Sequence, residues 1–146
     1  MSTDKNKILI VDDEEVLASI YKTRFETEGF EVQYCNNGED ALNLAKEFQP
    51  DLIMVDIMMP KMDGYDTIKS FRAIPEAKNS YIIIYSALTI PKSDANAEKY
   101  GANDFFVKSA ISFEELVERV KSAIRNRESS ELSDTVDPDG SAQSSD

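Results

Sequence analysis

The sequence predicts an α/β fold, in which five parallel strands form a doubly wound sheet with five helices on its two faces. Three observations support this prediction. Short and nearly continuous apolar runs recur along the chain, which is typical of strands that are buried on both faces. A segment of helical character follows each run. Regular alternation of strand and helix gives a parallel sheet with right-handed crossover connections.

The first two strand–helix pairs lie at the amino-terminal end of the chain. Residues 7–11 are predicted to form the first strand, and residues 14–28 are predicted to form a helix that ends at Gly29. Residues 30–35 form the second strand. The helix after it ends at Pro50, because proline lacks the amide proton that a helix interior requires.

The other three pairs have strands at residues 52–55, 81–85 and 104–107 and helices at residues 65–72, 91–99 and 112–125. The last of these helices has the clearest helical periodicity of its apolar residues. The helix at 91–99 has the weakest, since its serine, aspartate and asparagine residues are mediocre helix formers. We expect either a short surface helix there or an element that is loose enough to be repositioned.

The composition of the chain changes near residue 127. Residues 128–146 contain six acidic residues, six serines and no basic residue. Such a segment cannot bury enough apolar surface to fold by itself. We therefore predict one folded domain over residues 1–127, followed by a disordered, acidic and serine-rich tail over residues 128–146 that is either solvating or a partner-binding segment.

The overall charge narrows the classes of partner. The 146 residues include 16 basic and 28 acidic side chains, which gives a net charge of −12. From such a chain we expect no binding to nucleic acid and no attraction to an anionic membrane. No apolar run reaches the ~18 residues of a spanning helix, and the amino terminus has no secretory signal. Together with the single cysteine, Cys35, these features favour a cytoplasmic protein.

Polar side chains follow the apolar runs at the points where the strands end. Asp12 and Asp13 follow the first strand, and Asp56, Ser86 and Lys108 follow the third, fourth and fifth. In a sheet of order 2-1-3-4-5, these strand ends meet at one crevice, which is where open α/β sheets bind ligands. Three packed carboxylates repel one another, and a divalent cation relieves that repulsion. Because the chain has no histidine, we expect Mg²⁺ on oxygen ligands, with Mn²⁺ as an alternative.

Five sequence motifs extend this pattern. They are Val11-Asp12-Asp13-Glu14, Asp51-Leu52-Ile53-Met54-Val55-Asp56-Ile57-Met58-Met59-Pro60, Met62-Asp63-Gly64, Ser86-Ala87 and Phe105-Phe106-Val107-Lys108. In this order, and with Pro60 and Gly64 at these offsets from Asp56, the set resembles the receiver domains of response regulators in two-component signalling. The resemblance covers residues 7–125 and implies the flavodoxin-like version of the predicted fold.

The resemblance implies a metal-binding role for four residues. Asp13 and Asp56 would bind Mg²⁺ directly, together with the backbone carbonyl of Met58. Asp12 would hold the water molecules of the metal. These roles fit the preference of Mg²⁺ for carboxylate and water oxygens.

The resemblance also implies a phosphorylation switch. Asp56 would be the phosphoacceptor, since a carboxylate is one of the nucleophiles that form covalent phospho-enzymes. Lys108 would pair with one phosphoryl oxygen, and the Ser86 hydroxyl would hydrogen-bond to another. Movement of Ser86 would make room for Phe105 to turn inward. That change would alter the face formed by the fourth helix, the fifth strand and the fifth helix.

Some positions affect the expected behaviour of the site. By the same resemblance, Met58, Ala87 and Leu88 would occupy tuning positions beside the phosphoryl group. Met58 and Leu88 are apolar and could not orient an attacking water molecule, so we expect slow self-dephosphorylation. The chain departs from the family at Ser109, where proline usually follows a cis peptide bond. A cis bond before another residue costs about 3–4 kcal/mol. The sequence therefore allows either a cis or a trans bond between Lys108 and Ser109.

The sequence as a whole predicts a stand-alone receiver that accepts a phosphoryl group from a sensor histidine kinase or a histidine phosphotransfer protein. Its output would be contact with a downstream protein or onward phosphorelay, and it would be a monomer or a weak homodimer. It would not be an enzyme, beyond catalysing its own phosphorylation and slow self-dephosphorylation.

Two alternatives belong to other functional classes. The first is a receiver-fold interaction module that works without phosphate. The second is a Mg²⁺-dependent phosphatase with an aspartyl-phosphate intermediate. Haloacid-dehalogenase-like phosphatases require a second aspartate two residues after the nucleophile, and this chain has Glu14 at that distance from Asp12.

Overall fold

The computed structural model describes residues 6–59, 62–86 and 101–136, and within them only the backbone of residues 58–59, 62–64 and 127–136. The main sheet contains β1 (Lys7–Val11), β2 (Glu31–Cys35), β3 (Leu52–Asp56), β6 (Tyr81–Ser86) and β7 (Asp104–Val107). Two short strands, β4 (Met58–Met59) and β5 (Met62–Asp63), pair antiparallel between β3 and the helix that the sequence predicts at residues 65–72.

The five strands of the main sheet are parallel and lie in the order β2-β1-β3-β6-β7. When only these five strands are counted, this is the predicted order 2-1-3-4-5. The predicted fold class is therefore confirmed. The order reverses between β1 and β3, so the carboxyl ends of these two strands open a crevice at the switch point of the sheet.

Four helices are described: α1 (Glu15–Thr27), α2 (Gly38–Phe48), α3 (Gly64–Arg72) and α4 (Phe113–Val136). The helix that was predicted over residues 91–99 lies outside the described residues. The other predicted helices are found within a few residues of their expected bounds, except for the carboxyl end of the last one.

Two apolar cores lie on opposite faces of the sheet. α1 and α4 pack on one face, where Phe25 and Val120 are fully buried. α2 and α3 pack on the other face, where Phe71 is fully buried. Side chains alternate along the central strand β1, so that Ile10 faces the first core and Leu9 faces the second. A strand that is buried on both faces explains the continuous apolar runs in the sequence.

Local residue chemistry explains where the first two helices begin and end. α1 ends before Gly29, which has a φ of 99°, a conformation that glycine adopts without the steric penalty of a side chain. α2 begins after Asn37, whose side chain accepts a hydrogen bond of 2.8 Å from the amide of Asp40. It ends at Gln49, which is in the left-handed conformation immediately before Pro50.

The last helix is longer than the sequence predicted. α4 continues to Val136, past the predicted boundary of the folded domain at residue 127 and through residues 128–136 of the predicted tail. The low apolar content of this segment suggested disorder, but it contains no glycine or proline to stop a helix. Residues 137–146 lie outside the described residues.

The structure also answers the question raised by Ser109. No cis peptide bond occurs among the described residues, so the bond between Lys108 and Ser109 is trans. Residues Lys108–Ala110 form a single turn of 3₁₀ helix between β7 and α4.

Arg72, at the end of α3, connects several loops at the amino end of the sheet. Its guanidinium donates hydrogen bonds of 2.7–2.8 Å to the carbonyls of Lys78, Ser80 and Gly101 and to the side chain of Asn103. Gly101 has a φ of 100°, and a Cβ atom there would approach the Arg72 side chain to 3.0 Å. One side chain thus joins the loop before β6 to the loop before β7.

We predict that Arg72→Gln lowers the free energy of unfolding by about 2 kcal/mol, because four hydrogen bonds from a charged donor are lost together. The matched control is Lys22→Gln, which removes a cation whose ion pair with Glu26 is exposed at the surface and should cost less than ~0.5 kcal/mol. Urea denaturation followed by circular dichroism measures both values. Equal stability of the two variants would contradict the role given to Arg72.

Candidate functional site

Three carboxylates converge at the switch point of the sheet. Asp12 and Asp13 follow β1, and Asp56 is the last residue of β3. One oxygen from each carboxylate can be chosen so that all three lie within 4.8 Å of one another. Asp12 and Asp56 are 0% and 3% exposed, and Asp13 is the least buried of the three. The sequence prediction that these residues meet is supported by this geometry.

Lys108 brings a positive charge to the two buried carboxylates. It follows β7, and its Nζ atom lies 3.1 Å from Asp12 Oδ2 and 3.2 Å from Asp56 Oδ2. A longer contact of 3.5 Å reaches Glu14 at the rim. Burial alone would lower the pKa of the ammonium, but the charges of Asp12 and Asp56 and their hydrogen bonds outweigh it, so the pKa is raised. Lys108 is therefore a cation throughout the physiological pH range.

Asp12 is held by three hydrogen bonds. Its Oδ1 accepts a bond of 2.9 Å from the backbone amide of Glu14. Its Oδ2 accepts one from Lys108 and one of 2.6 Å from the hydroxyl of Tyr85. A buried carboxylate needs such donors, because burial without them would favour its protonated form.

Tyr85 is a site residue that the sequence analysis missed. It lies in β6 within an apolar run, where a tyrosine is expected to contribute mainly to the core. Its ring does pack in the core, 5.8 Å from the ring of Tyr21, but its hydroxyl reaches the acidic site. Burial, and next the neighbouring charge of Asp12, raise the pKa of Tyr85 well above its usual value, so the phenol stays protonated. The one sequence signal was a tyrosine immediately before a strand-end serine.

Ser86 and Phe105 lie on neighbouring strands of the sheet. Ser86 is fully buried at the end of β6 and is opposite Val107, and Phe105 is opposite Ile84. Since side chains alternate along a strand, Ser86 shares a face with Ile84 and Phe105. That face packs against α2 and α3, and Phe105 is partly buried there. The two residues of the predicted switch are thus diagonal neighbours.

The remaining predicted site residues are only partly described. Met58 begins β4 two residues after Asp56, and only its backbone is described. Ala87 and Leu88 lie outside the described residues. Their predicted influence on the phosphoryl group therefore stays a prediction.

The donor set fits a hard divalent cation. Within the described ranges, Asp12, Asp13 and Asp56 are the only group of three or more histidine, cysteine or acidic residues that could hold a metal ion. All three offer carboxylate oxygens, which are the ligands that Mg²⁺ prefers. The partial burial of the site and its surplus of negative charge over Lys108 also favour a cation.

Cys35 does not offer a competing nucleophile. It lies at the end of β2 and is partly buried against the second core. Burial raises the pKa of its thiol to about 12. Because the thiolate is the reactive form, Cys35 is inert at neutral pH.

The family model for the response regulator receiver domain matches residues 8–121. The chain belongs to this family. A probable transcriptional regulator, ycf27, of Cyanophora paradoxa is 36% identical over 135 residues, which are 92% of this chain and 55% of that protein. The chain therefore spans about half the length of this relative and of the ycf27 proteins of Porphyra purpurea and Pyropia yezoensis.

Solved structures support the same assignment. A CheY-like receiver domain of Methanospirillum hungatei superposes with a TM-score of 0.79 over 87% of this chain and 99% of that one, and at 21% identity it supports the fold alone. The response regulator TrrA of Thermotoga maritima, solved in complex with Mg²⁺ and BeF, is 32% identical with a TM-score of 0.69 over 80% of this chain and 97% of that one. In the described part of this receiver, no helix is both long and apolar enough to cross a membrane.

We predict that Mg²⁺ stabilises this receiver against heat and that Asp13→Asn removes most of the effect. A ligand at about 100 times its Kd adds about 2.7 kcal/mol of stability, which corresponds to a rise in Tm of roughly 5–10 °C for a chain of this size. Differential scanning calorimetry with and without Mg²⁺ measures the shift. Glu31→Gln is the control, because it removes one negative charge at the opposite end of the sheet. An equal shift in Asp13→Asn would contradict the assigned site.

Proposed function

We propose that the chain is a phosphorylation-dependent switch that accepts a phosphoryl group on Asp56 from a histidine of a sensor kinase or a histidine phosphotransfer protein. One observation carries the proposal: the carboxylate of Asp56 is buried beside two further carboxylates and within 3.2 Å of the Lys108 ammonium. This arrangement offers a nucleophile, metal-binding oxygens and a fixed positive charge at one point. Membership of the receiver family supports the same function.

The proposed transfer is a displacement at phosphorus. One carboxylate oxygen of Asp56 forms a bond to phosphorus while the bond to the donor's histidine nitrogen breaks. The nitrogen keeps the electron pair of that bond and is protonated as it leaves. Phosphoryl transfer depends mainly on positioning and on neutralising charge. Bound Mg²⁺ would supply further positive charge, held by Asp13, Asp56 and the Met58 carbonyl, with Asp12 holding its waters.

Lys108 would change partners during the reaction. Before phosphorylation it bridges Asp12 and Asp56. Once Asp56 carries the phosphoryl group, the phosphoryl oxygens carry about two negative charges, whereas a carboxylate carries one, so they attract the ammonium more strongly. The Ser86 hydroxyl would donate a hydrogen bond to another phosphoryl oxygen. Both residues would then lie closer to Asp56.

The signal would pass to the adjacent face of the domain. Movement of Ser86 leaves space on the face of the sheet that it shares with Phe105. Phe105 cannot form a phenol hydrogen bond, so its inward turn would depend on packing alone. We propose that a downstream partner reads the face that includes β7 and α4. The helix that the sequence predicts over residues 91–99 would belong to this face, but it lies outside the described residues.

The relatives and the net charge of the chain bear on whether its output is binding to DNA or contact with a protein. The names of the relatives describe transcriptional regulators, but this chain covers about half of their length. The net charge of −12 makes these 146 residues a poor match for the phosphates of DNA. We therefore propose that the output of this segment is contact with a protein or onward phosphorelay. Its catalysis would be limited to its own phosphorylation and slow self-dephosphorylation.

We predict that acetyl phosphate adds one phosphoryl group to the chain in the presence of Mg²⁺ and that Asp56→Asn abolishes the addition. Intact-mass spectrometry measures the product. Asp104→Asn is the matched control, because it makes the same exchange at the opposite end of the sheet and should be labelled like the wild type. Labelling that persists in Asp56→Asn would refute the assigned acceptor. Repeated turnover of a phosphate ester would favour a phosphatase instead.

We predict that the phosphorylated chain is long-lived and that Met58→Asn or Leu88→Glu shortens its lifetime. A polar group at either position would orient the water molecule that attacks the phosphoryl group, which typically changes a rate by about 10²-fold or more. Loss of the phosphoryl mass with time gives the rate for each variant. Met58→Leu serves as a control because it keeps the position apolar. Equal lifetimes in all variants would show that these positions do not tune the reaction.

A further inference from the structure

The hydroxyl of Tyr85 is directed away from the core and toward the acidic site. Tyr85 is 2% exposed, and its ring packs edge-on against Tyr21 in the core formed with α1 and α4. Its hydroxyl nevertheless donates the shortest hydrogen bond that Asp12 receives, at 2.6 Å. The Lys108 ammonium lies 4.8 Å from the centroid of the same ring. Tyr85 thus contacts both Asp12 and Lys108 without being a charged group itself.

The hydrogen bond from Tyr85 determines which acceptor positions of Asp12 are occupied. A carboxylate has about four acceptor positions, two on each oxygen. Lys108 and Tyr85 use both positions on Oδ2, and the Glu14 amide uses one on Oδ1. When the donors among the described residues are counted, the remaining position is on Oδ1. With Oδ2 anchored, the carboxylate cannot rotate freely, and its available acceptor position is fixed in direction.

We propose that Tyr85 is a positioning residue for the metal site: its hydroxyl anchors Oδ2 of Asp12 so that Oδ1 is available to the water shell of a bound Mg²⁺. This inference rests on the proposed function. When Lys108 turns to the phosphoryl group, Oδ2 loses its charged donor, and the Tyr85 hydroxyl keeps the carboxylate in place. A group that orients a metal-binding residue in this way typically contributes 10–100-fold to metal affinity.

Tyr85→Phe tests the inference, because it removes the hydroxyl and keeps the ring that packs against Tyr21. The probe is Mn²⁺ alone, titrated into the unphosphorylated full chain, with the free ion measured by electron paramagnetic resonance. We expect Tyr85→Phe to bind Mn²⁺ about tenfold more weakly than the wild type. Thermal unfolding of each variant establishes that it is folded at the temperature of the titration.

Tyr21→Phe is the matched control. It makes the same change in a neighbouring ring of the same core, and Tyr21 is not among the three described donors to Asp12. Its affinity for Mn²⁺ should equal that of the wild type. A Tyr85→Phe variant that also binds Mn²⁺ like the wild type would overturn the inference. Tyr85 would then be a core residue whose buried hydroxyl merely has a hydrogen-bond partner.

A double-mutant cycle separates positioning from a general effect on the fold. If Tyr85 acts through Asp12, then Tyr85→Phe should change the Mn²⁺ affinity of an Asp12→Ala background, in which position 12 has no acceptor for the hydroxyl, by less than about twofold. A full tenfold loss in that background would overturn the inference, because the hydroxyl would then act on some other group. Failure of the wild type to bind Mn²⁺ is a distinct outcome that would overturn the proposed function, and the inference with it.

Discussion

The sharing of one ammonium between two buried carboxylates is the interaction on which the site depends. Asp12 and Asp56 are almost fully buried, and two ionised carboxylates so close together repel each other strongly. Lys108 compensates this repulsion from 3.1 and 3.2 Å. It directly follows β7, the strand at the edge of the sheet, so the attraction also holds the end of β7 near the centre of the fold. With three carboxylates and one ammonium, the site keeps a net negative charge and an affinity for a further cation.

The parallel sheet makes this arrangement possible. β1, β3, β6 and β7 all end at the same edge, so residues that are up to 96 positions apart in the chain become neighbours. The end of β6 has a double role because side chains alternate along it. Ser86 faces the side of α2 and α3, and Tyr85 faces the side of α1 and α4. A shift of this single strand end would therefore be felt in both cores, through Phe105 on one face and through Tyr21 on the other.

The sequence predicted the strands and the acidic site well because both depend on short, local patterns. Apolar runs mark buried strands, and polar residues at their ends mark the crevice. The interactions that it missed have no local pattern. Arg72 binds backbone carbonyls, which every residue carries, and the hydroxyl of Tyr85 acts across 73 positions of the chain. The length of α4 was missed for another reason: composition favoured disorder, whereas the absence of glycine and proline before Pro138 permitted a helix.

A neutral donor at Tyr85 suits this site better than a second cation would. At an effective dielectric of about 20, two unit charges 4 Å apart interact by about 4 kcal/mol. A second ammonium beside Asp12 would repel an incoming divalent cation by an amount of this order and would compete for the same oxygens. A phenol orients the carboxylate and leaves the net charge of the site unchanged. Its raised pKa keeps the proton on the hydroxyl, so Tyr85 donates this hydrogen bond whether or not Lys108 also contacts Asp12.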